Sequence, residues 1–255
     1  MLFGEIAYGP IHSRRLGVSL GMEIMPLTHK LCTFNCVYCE CGWNEQIHKP
    51  VLPTRAEVKA ALEKKLQALQ QEGVVPDVIT FSGNGEPTLH PDFNGIIRDT
   101  CALRDRYCPN AKVSVLSNST QLGRKDVVEA LWLCDNRILK LDAVTDEMMR
   151  RIDLPVNENL TVAQIIEWLK QFNGDFTLQT CFLRGMHNGV ILDNTTTLEL
   201  TSWYAAVELL RPKQIMIYVI DRKTPEENLQ KIPRDEMERI AAPLIEKGFD
   251  VSISA

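Results

Sequence analysis

Apolar residues fall along this chain in short continuous runs that alternate with stretches of helical spacing. A run at 18–24 reads as a strand, and Val58, Leu62, Leu66 and Leu69 then recur at intervals that share one helix face. Thr54 followed three residues later by Glu57 supplies a capping box for the start of that helix. Further strands are expected at 77–81, 112–116, 137–143, 176–183 and 214–222. The helical stretches between and after them are 93–106, 125–133, a short turn at 148–152, a helix capped by Thr161, and 198–210. A last helix opens at Pro233, with Met237, Ile240, Ala241, Leu244 and Ile245 expected inward, and 251–254 reads as a closing edge strand. Residues 8–21, with three glycines and a proline, read as a turn-rich lead-in.

Strands that alternate with helices predict a parallel sheet with helices packed outside it, an α/β fold. Six such units, partly closed, make an open (β/α)6 barrel. No internal repeat, low-complexity tract or long linker interrupts the pattern, so residues 1–255 are expected to form one domain. In parallel barrels chemistry gathers where strands end and loops begin. The polar residues here cluster at such ends: Gly83, Asn84, Gly85 and Glu86 after one strand, Ser117 and Asn118 after the next, then Lys140 and Asp142. Gln179 and Arg184 close the following strand, and Tyr218, Asp221 and Arg222 the last.

Glycines at 83 and 85 let the backbone approach a ligand closely, and Glu86 can accept from an ammonium group. Ser117 and Asn118 offer groups suited to a ribose or a carboxylate. Gln179, Arg184, Tyr218, Asp221 and Arg222 are the substrate-side candidates, the two arginines matching a phosphate or carboxylate. His90 is read as a turn or packing residue. Arg14 and Arg15 either meet an anionic group or support a surface.

The densest signal is the segment from Cys32 to Cys39, with thiols at 32, 36 and 39. Three thiols are one fewer than usually hold a [4Fe–4S] cubane, which leaves one iron open to bind something that reacts. Zinc or a plain electron-transfer cluster is the alternative, but Cys41, one residue past Cys39, is too close in sequence to take a separate corner easily.

This spacing, with Tyr38 just before the third cysteine, resembles the cluster motif of the radical S-adenosylmethionine (radical SAM) superfamily. The elements Tyr8-Gly9-Pro10, Ser13-Arg14-Arg15-Leu16-Gly17 and Gly83-Asn84-Gly85-Glu86-Pro87-Thr88-Leu89-His90 extend the likeness. They point to a branch of uncharacterised iron–sulfur oxidoreductases near the enzymes that make the tRNA base wybutosine. The resemblance implies that S-adenosylmethionine chelates the open iron of a [4Fe–4S] cluster held by Cys32, Cys36 and Cys39. An electron from the cluster then yields a 5′-deoxyadenosyl radical, which takes a hydrogen atom from the substrate. It also implies that the Gly83–Glu86 segment receives the cofactor's amino group, that Ser117 and Asn118 contact the cofactor, and that Tyr38 packs on the adenine side. Lys140 stands where many relatives carry serine, and is read either as meeting the cofactor carboxylate or as pairing with Asp142 or Glu86.

Composition narrows the setting. Eight cysteines, three of them in metal-type spacing, suit a reducing compartment better than a disulfide framework. Cys101, Cys108, Cys134 and Cys181 form no second cluster motif, and Cys41 and Cys181 remain candidates for hydrogen-atom or group transfer. A net charge of −5 argues against a broad nucleic-acid face, so a small-molecule substrate is favoured over RNA. No apolar run reaches the length of a membrane span and no secretory pattern opens the chain, so a cytoplasmic enzyme is expected. Its electron donor is expected to be a flavodoxin or ferredoxin. Three readings stay open: an oxidoreductase or transferase on a small molecule or modified base, a cluster carrier without cofactor cleavage, and a tRNA-modifying enzyme.

Overall fold

The computed structural model describes residues 2–13, 17–45 and 47–255, so Arg14 and Arg15 lie outside the described residues. The chain divides into two compact units, 1–32 with 44–117 and 121–137, and 33–43 with 118–120 and 138–255.

In the first unit, β1 (Ala7–Ser13) pairs antiparallel with β2 (Gly17–Met22). The strand β3 (Val78–Phe81) lies parallel to β2, and β4 (Lys112–Ser117) parallel to β3. The expected turn-rich lead-in is therefore largely a strand. Its glycine and proline are accommodated by a register shift between Tyr8 and Ile11, the irregularity that lets such residues sit in an edge strand.

Helices α1 (Arg55–Gln71), α2 (Phe93–Tyr107) and α3 (Lys125–Trp132) complete this unit. The capping box of α1 forms as expected: Glu57 N–H donates to Thr54 Oγ1 at 3.3 Å and Thr54 N–H to Glu57 Oε2 at 2.7 Å. Val58, Leu62, Leu66 and Leu69 are all buried, each contributing about 1.5–3 kcal/mol relative to exposure. A two-pronged ion pair, Arg55 to Asp99 at 2.8 and 3.0 Å, links α1 to α2.

In the second unit β5 (Asn136–Lys140, whose first two residues belong to the first unit), β6 (Thr177–Cys181), β9 (Gln214–Tyr218) and β11 (Val251–Ser254) run parallel in that order. Leu139 in β5, Leu178 in β6 and Ile215 in β9 are fully buried. Around them are α4 (Asp146–Ile152), α5 (Val162–Leu169), α6 (Thr197–Leu210) and α7 (Arg234–Glu246). Ile245, expected inward, is half-exposed, while Met237, Ile240, Ala241 and Leu244 are buried.

The strand expected through 176–183 breaks after Cys181, and the chain continues into a small antiparallel sheet. It comprises β7 (Leu183–His187), β8 (Val190–Asp193) and β10 (Leu229–Lys231), ordered β10-β7-β8. Asn188 and Gly189, both at positive φ, make the turn between β7 and β8. Asn-Gly is a strong hairpin signal in its own right, and a reading by period alone passes over it. The strand expected at 214–222 ends at Tyr218, which leaves Asp221 and Arg222 in the loop beyond it. Among the described residues, no helix is long and apolar enough to cross a membrane.

Candidate functional site

In the first unit, β3 runs into the turn of Gly83, Asn84, Gly85 and Glu86. The segment ahead of Cys32 lies alongside it as a parallel bridge from Leu31 to Gly85. Leu31 N–H donates to the Asn84 carbonyl at 2.9 Å, and Glu86 N–H to the Leu31 carbonyl at 3.1 Å. Gly85 sits at φ +155°, and a Cβ there would run into the Leu31 carbonyl. Only glycine permits that approach.

Asn84 is fully buried and its side-chain amide is engaged by backbone: it donates to Phe3 O at 2.9 Å and Pro26 O at 3.0 Å, and accepts from Phe3 N–H at 2.8 Å. Its amide therefore clamps two chain segments. Glu86 is buried too, and one of its oxygens accepts from the Thr88 N–H at 3.1 Å and the Thr88 hydroxyl at 2.5 Å. His90 accepts from Asp92 N–H through Nδ1 at 3.0 Å, which leaves Nε2 to donate to the Pro53 carbonyl at 2.8 Å. Cys32 has its carbonyl held by the Asn44 amide at 3.1 Å. The buried ring of His29, three residues ahead of Cys32, has no hydrogen-bond partner at Nε2 among the described residues.

In the second unit the cysteine loop is laid against residues 152–156. Asn35 N–H donates to the Asp153 carbonyl at 2.9 Å, Val37 N–H to Ile152 at 2.9 Å, and Val156 N–H to Thr33 at 2.9 Å. Phe34 and Pro155 complete this ladder with an antiparallel bridge. Cys39 N–H to Cys36 O at 3.1 Å and Gly42 N–H to Cys39 O at 2.9 Å then curl the loop into consecutive turns. The Cys36 thiol donates to the buried Asp153 carboxyl at 3.4 Å. Sequence reasoning ends a helical turn at Ile152, before Pro155, and gives residues 152–156 no part in holding the cysteine loop.

Tyr38 is buried, and its hydroxyl donates to Asp142 while Lys140 Nζ donates to it at 2.6 Å. Lys140 also stands 3.5 Å from the wholly buried Asp142 carboxylate. Asp142 is fixed in turn by Cys181 N–H at 2.8 Å. Tyr218 interacts with both Lys140 and Cys181. Burial pushes the phenol of Tyr38 well up, and the charge of Asp142 adds to it. Burial opposes the charge on Lys140 most strongly, but the combined pull of Asp142, Tyr218, Cys36 and Asp153 overcomes it, so the ammonium is held above its ordinary range. Burial likewise raises the Tyr218 phenol and the Cys181 thiol.

Asn118 donates to Thr33 Oγ1 at 2.8 Å and accepts from Thr120, and Ser119 Oγ donates to the Lys140 carbonyl at 2.9 Å. Ser117 is buried at the end of β4. Asn194, not singled out in the sequence, donates to the carbonyls of Asp142 at 2.8 Å and Cys181 at 2.7 Å, joining the two strand ends.

The substrate-side candidates separate. Gln179 is buried in β6, and Tyr218 joins the Lys140 group. Arg184 has its guanidinium engaged by Asp193 at 3.2 Å, by Glu236 at 2.9 Å and by Thr195. Asp221 faces Lys231 at 3.8 Å, and Arg222 pairs with Glu40, next to Cys39, at 2.7 Å.

The residues present fit an iron–sulfur cluster by donor chemistry. Three thiols lie on one loop, and no cysteine among the described residues is in a disulfide. Among the described residues no three His, Cys, Asp or Glu side chains converge on a point as ligands of a single ion do. A cubane asks for less convergence, because each iron takes its own thiolate.

Comparison with known proteins agrees with this chemistry. A UPF0026 protein of Synechocystis is 31% identical over 225 residues, covering 86% of this chain and 76% of that one. A protein of Brachyspira hyodysenteriae named GTPase Obg is 29% identical over 91% of this chain, and a UPF0026 protein of Methanocaldococcus jannaschii 32% identical over 67%. The chain spans only 32% and 50% of those two proteins' lengths. Among solved structures, Streptococcus suis SuiB bound to S-adenosylmethionine matches with a TM-score of 0.62 at 14% identity, over 89% of this chain and 49% of SuiB. TYW1 with a lysine-pyruvate adduct bound gives the same TM-score at 18% identity, over 89% of this chain and 73% of that one. These likenesses bear on the fold and agree with the expected mixed α/β architecture with a mostly parallel sheet. Members of the radical SAM superfamily use a [4Fe–4S] cluster with S-adenosylmethionine. Since the superfamily's model matches residues 27–191, from just before the cysteine loop to the β7–β8 hairpin, this chain belongs to the radical SAM superfamily.

Proposed function

We propose that this chain is a radical SAM enzyme in which Cys32, Cys36 and Cys39 hold the [4Fe–4S] cluster, and that residues 1–255 act as one core domain. The observation that carries the reading is the cysteine loop itself, curled by its own backbone turns and laddered onto 152–156. When bound, the cluster supplies the electron that splits the sulfonium of S-adenosylmethionine, and the resulting fragment takes a hydrogen atom from the substrate.

The chain's own residues receive these parts. The carbonyls of Gly83 and Gly85 and the carboxylate of Glu86 take the cofactor's amino group, since Asn84 commits its side chain to Phe3 and Pro26. Ser117 and Asn118 contact the ribose or carboxylate. Tyr38 presents its ring to the adenine side, with Asp142 and Lys140 fixing its hydroxyl. Lys140 acts through Tyr38 and Asp142 instead of meeting the cofactor carboxylate, because both neighbours already hold its ammonium. On the substrate side, Gln179 and Tyr218 remain the foremost positions. Arg184 serves as an ion-pair fastening of β7, and Asp221 and Arg222 of the loop after β9. The substrate is a small molecule, with a modified base as the second class, and a flavodoxin or ferredoxin delivers the electron.

Anaerobic reconstitution tests this. The holoprotein should carry about four irons per chain, and each of Cys32→Ala, Cys36→Ala and Cys39→Ala should lose the brown colour. Reductant and S-adenosylmethionine should then release 5′-deoxyadenosine. A stable cluster that releases none identifies a carrier, and tRNA binding that weakens steeply with salt would move the substrate to RNA.

A further inference from the structure

Glu23 stands one residue beyond β2 and is almost wholly buried, at 1% exposure. Its two carboxylate oxygens divide their work. One accepts from Met25 N–H at 2.7 Å, and the other from Asn84 N–H at 2.5 Å, across 61 residues of sequence. The second oxygen also occupies the space where a Cβ of residue 83 would project. The glycine that opens the turn is thus required by Glu23, as the second glycine is required by Leu31. Burial pushes the Glu23 carboxyl up to about 7 against the pull of three backbone N–H groups, so an acid here is held at a cost that an apolar residue would not bear. Perturbed acids of this kind concentrate at functional sites.

We propose that Glu23 is a positioning residue for cofactor binding, orienting the Gly83–Asn84 peptide so that the turn presents its groups to S-adenosylmethionine. The proposal rests on the reading of that turn as the cofactor's amino-group site. The hydrogen bonds that Glu23 accepts come from backbone N–H groups. Glutamine at 23 keeps one acceptor oxygen but sets its NH2 against either the Met25 or the Asn84 N–H, so one of the two holds is lost.

The test uses the reconstituted holoprotein and three variants, Glu23→Gln, Glu23→Asp and Gly85→Ala. Iron content and the spectrum of the reduced cluster without cofactor should match wild type in Glu23→Gln. The dissociation constant, read from the spectral change on titrating S-adenosylmethionine, should rise about tenfold, as expected for loss of one charge-assisted hydrogen bond. At saturating cofactor the turnover to 5′-deoxyadenosine should be restored to within a factor of about two, a KM effect without a kcat effect. A folded Glu23→Gln with wild-type affinity overturns the proposal. Should Glu23→Gln fail to fold, Glu23→Asp, which keeps the charge but is too short to reach both N–H groups, faces the same criterion. Gly85→Ala separates the two ideas. If it binds the cofactor normally, the turn is not the site and the underlying reading falls. If it weakens binding while Glu23→Gln does not, the role of Glu23 alone is refuted.

Discussion

At the Gly83–Glu86 turn the buried carboxylate of Glu23 accepts from the backbone N–H groups of Met25 and Asn84, and that of Glu86 from the backbone and hydroxyl of Thr88. Around Tyr38 the buried acid is held by charge and phenol instead, with Asp142 facing the Lys140 ammonium and the Tyr38 hydroxyl. The contrast shows up in how protons are bound. Burial prevails over the N–H bonds of Glu23 and brings its carboxyl into the physiological range, whereas at Lys140 burial is overcome by the surrounding groups, Asp142 foremost, which together hold its charge above the ordinary range. Backbone dipoles fix geometry without fixing charge, while a buried ion pair fixes charge and is costly to break from one side.

The largest effect should come from breaking the ion pair unilaterally. Asp142→Ala leaves a buried ammonium and should lower unfolding free energy by about 3–5 kcal/mol in urea titrations. Replacing both partners, as in Lys140→Met with Asp142→Leu, should recover most of that loss. A double variant as unstable as the single one would show that packing, and not charge, dominates this region.

The next effect is the pH dependence of Glu23. Its carboxyl rises from 4.5 to about 7 on folding, so the folded state binds the proton more tightly. The stabilisation is complete below pH 4.5 and is lost as pH rises through 7. A shift of that size corresponds to about 3 kcal/mol between the two limits. Glu23→Gln should flatten this segment of the stability profile, measured by denaturant titration at a series of pH values.

Smaller again is Gly85→Ala, which forces a methyl against the Leu31 carbonyl and should cost about 1–3 kcal/mol. Thermal unfolding would check it, and an unchanged midpoint would mean that the Leu31 strand yields. Smallest is Thr54→Ala at the cap of α1, outside both regions, with an expected loss of about 1 kcal/mol that should leave cluster content untouched.

Much of the local structure was legible because it depends on neighbours in sequence. The inward face of α1, the box of Thr54 and Glu57, the Thr161 cap of α5, and the strands β2, β3, β4, β5, β6 and β9 all follow from period and capping. The loop of Cys32, Cys36 and Cys39 was equally plain, because the spacing of its thiols is written in the sequence. β1 was obscured by its glycine and proline, whose irregular pairing no alternation pattern marks. The small β10-β7-β8 sheet escaped because β7 follows β6 after a single residue, so one apolar stretch conceals two strands.

The chain's order of residues thus determined which segments fold, where each helix starts, and that three thiols share one short loop. Folding in three dimensions decided what stands opposite what: Tyr38 with Asp142 across 104 residues, Asn84 with Glu23, and the loop with 152–156. Periodicity records only which side of an element is apolar. The partner a buried polar group finds is set by strand order and register, which arise when distant segments pack, so a buried acid can be recognised as such only once the groups that hold it are in place.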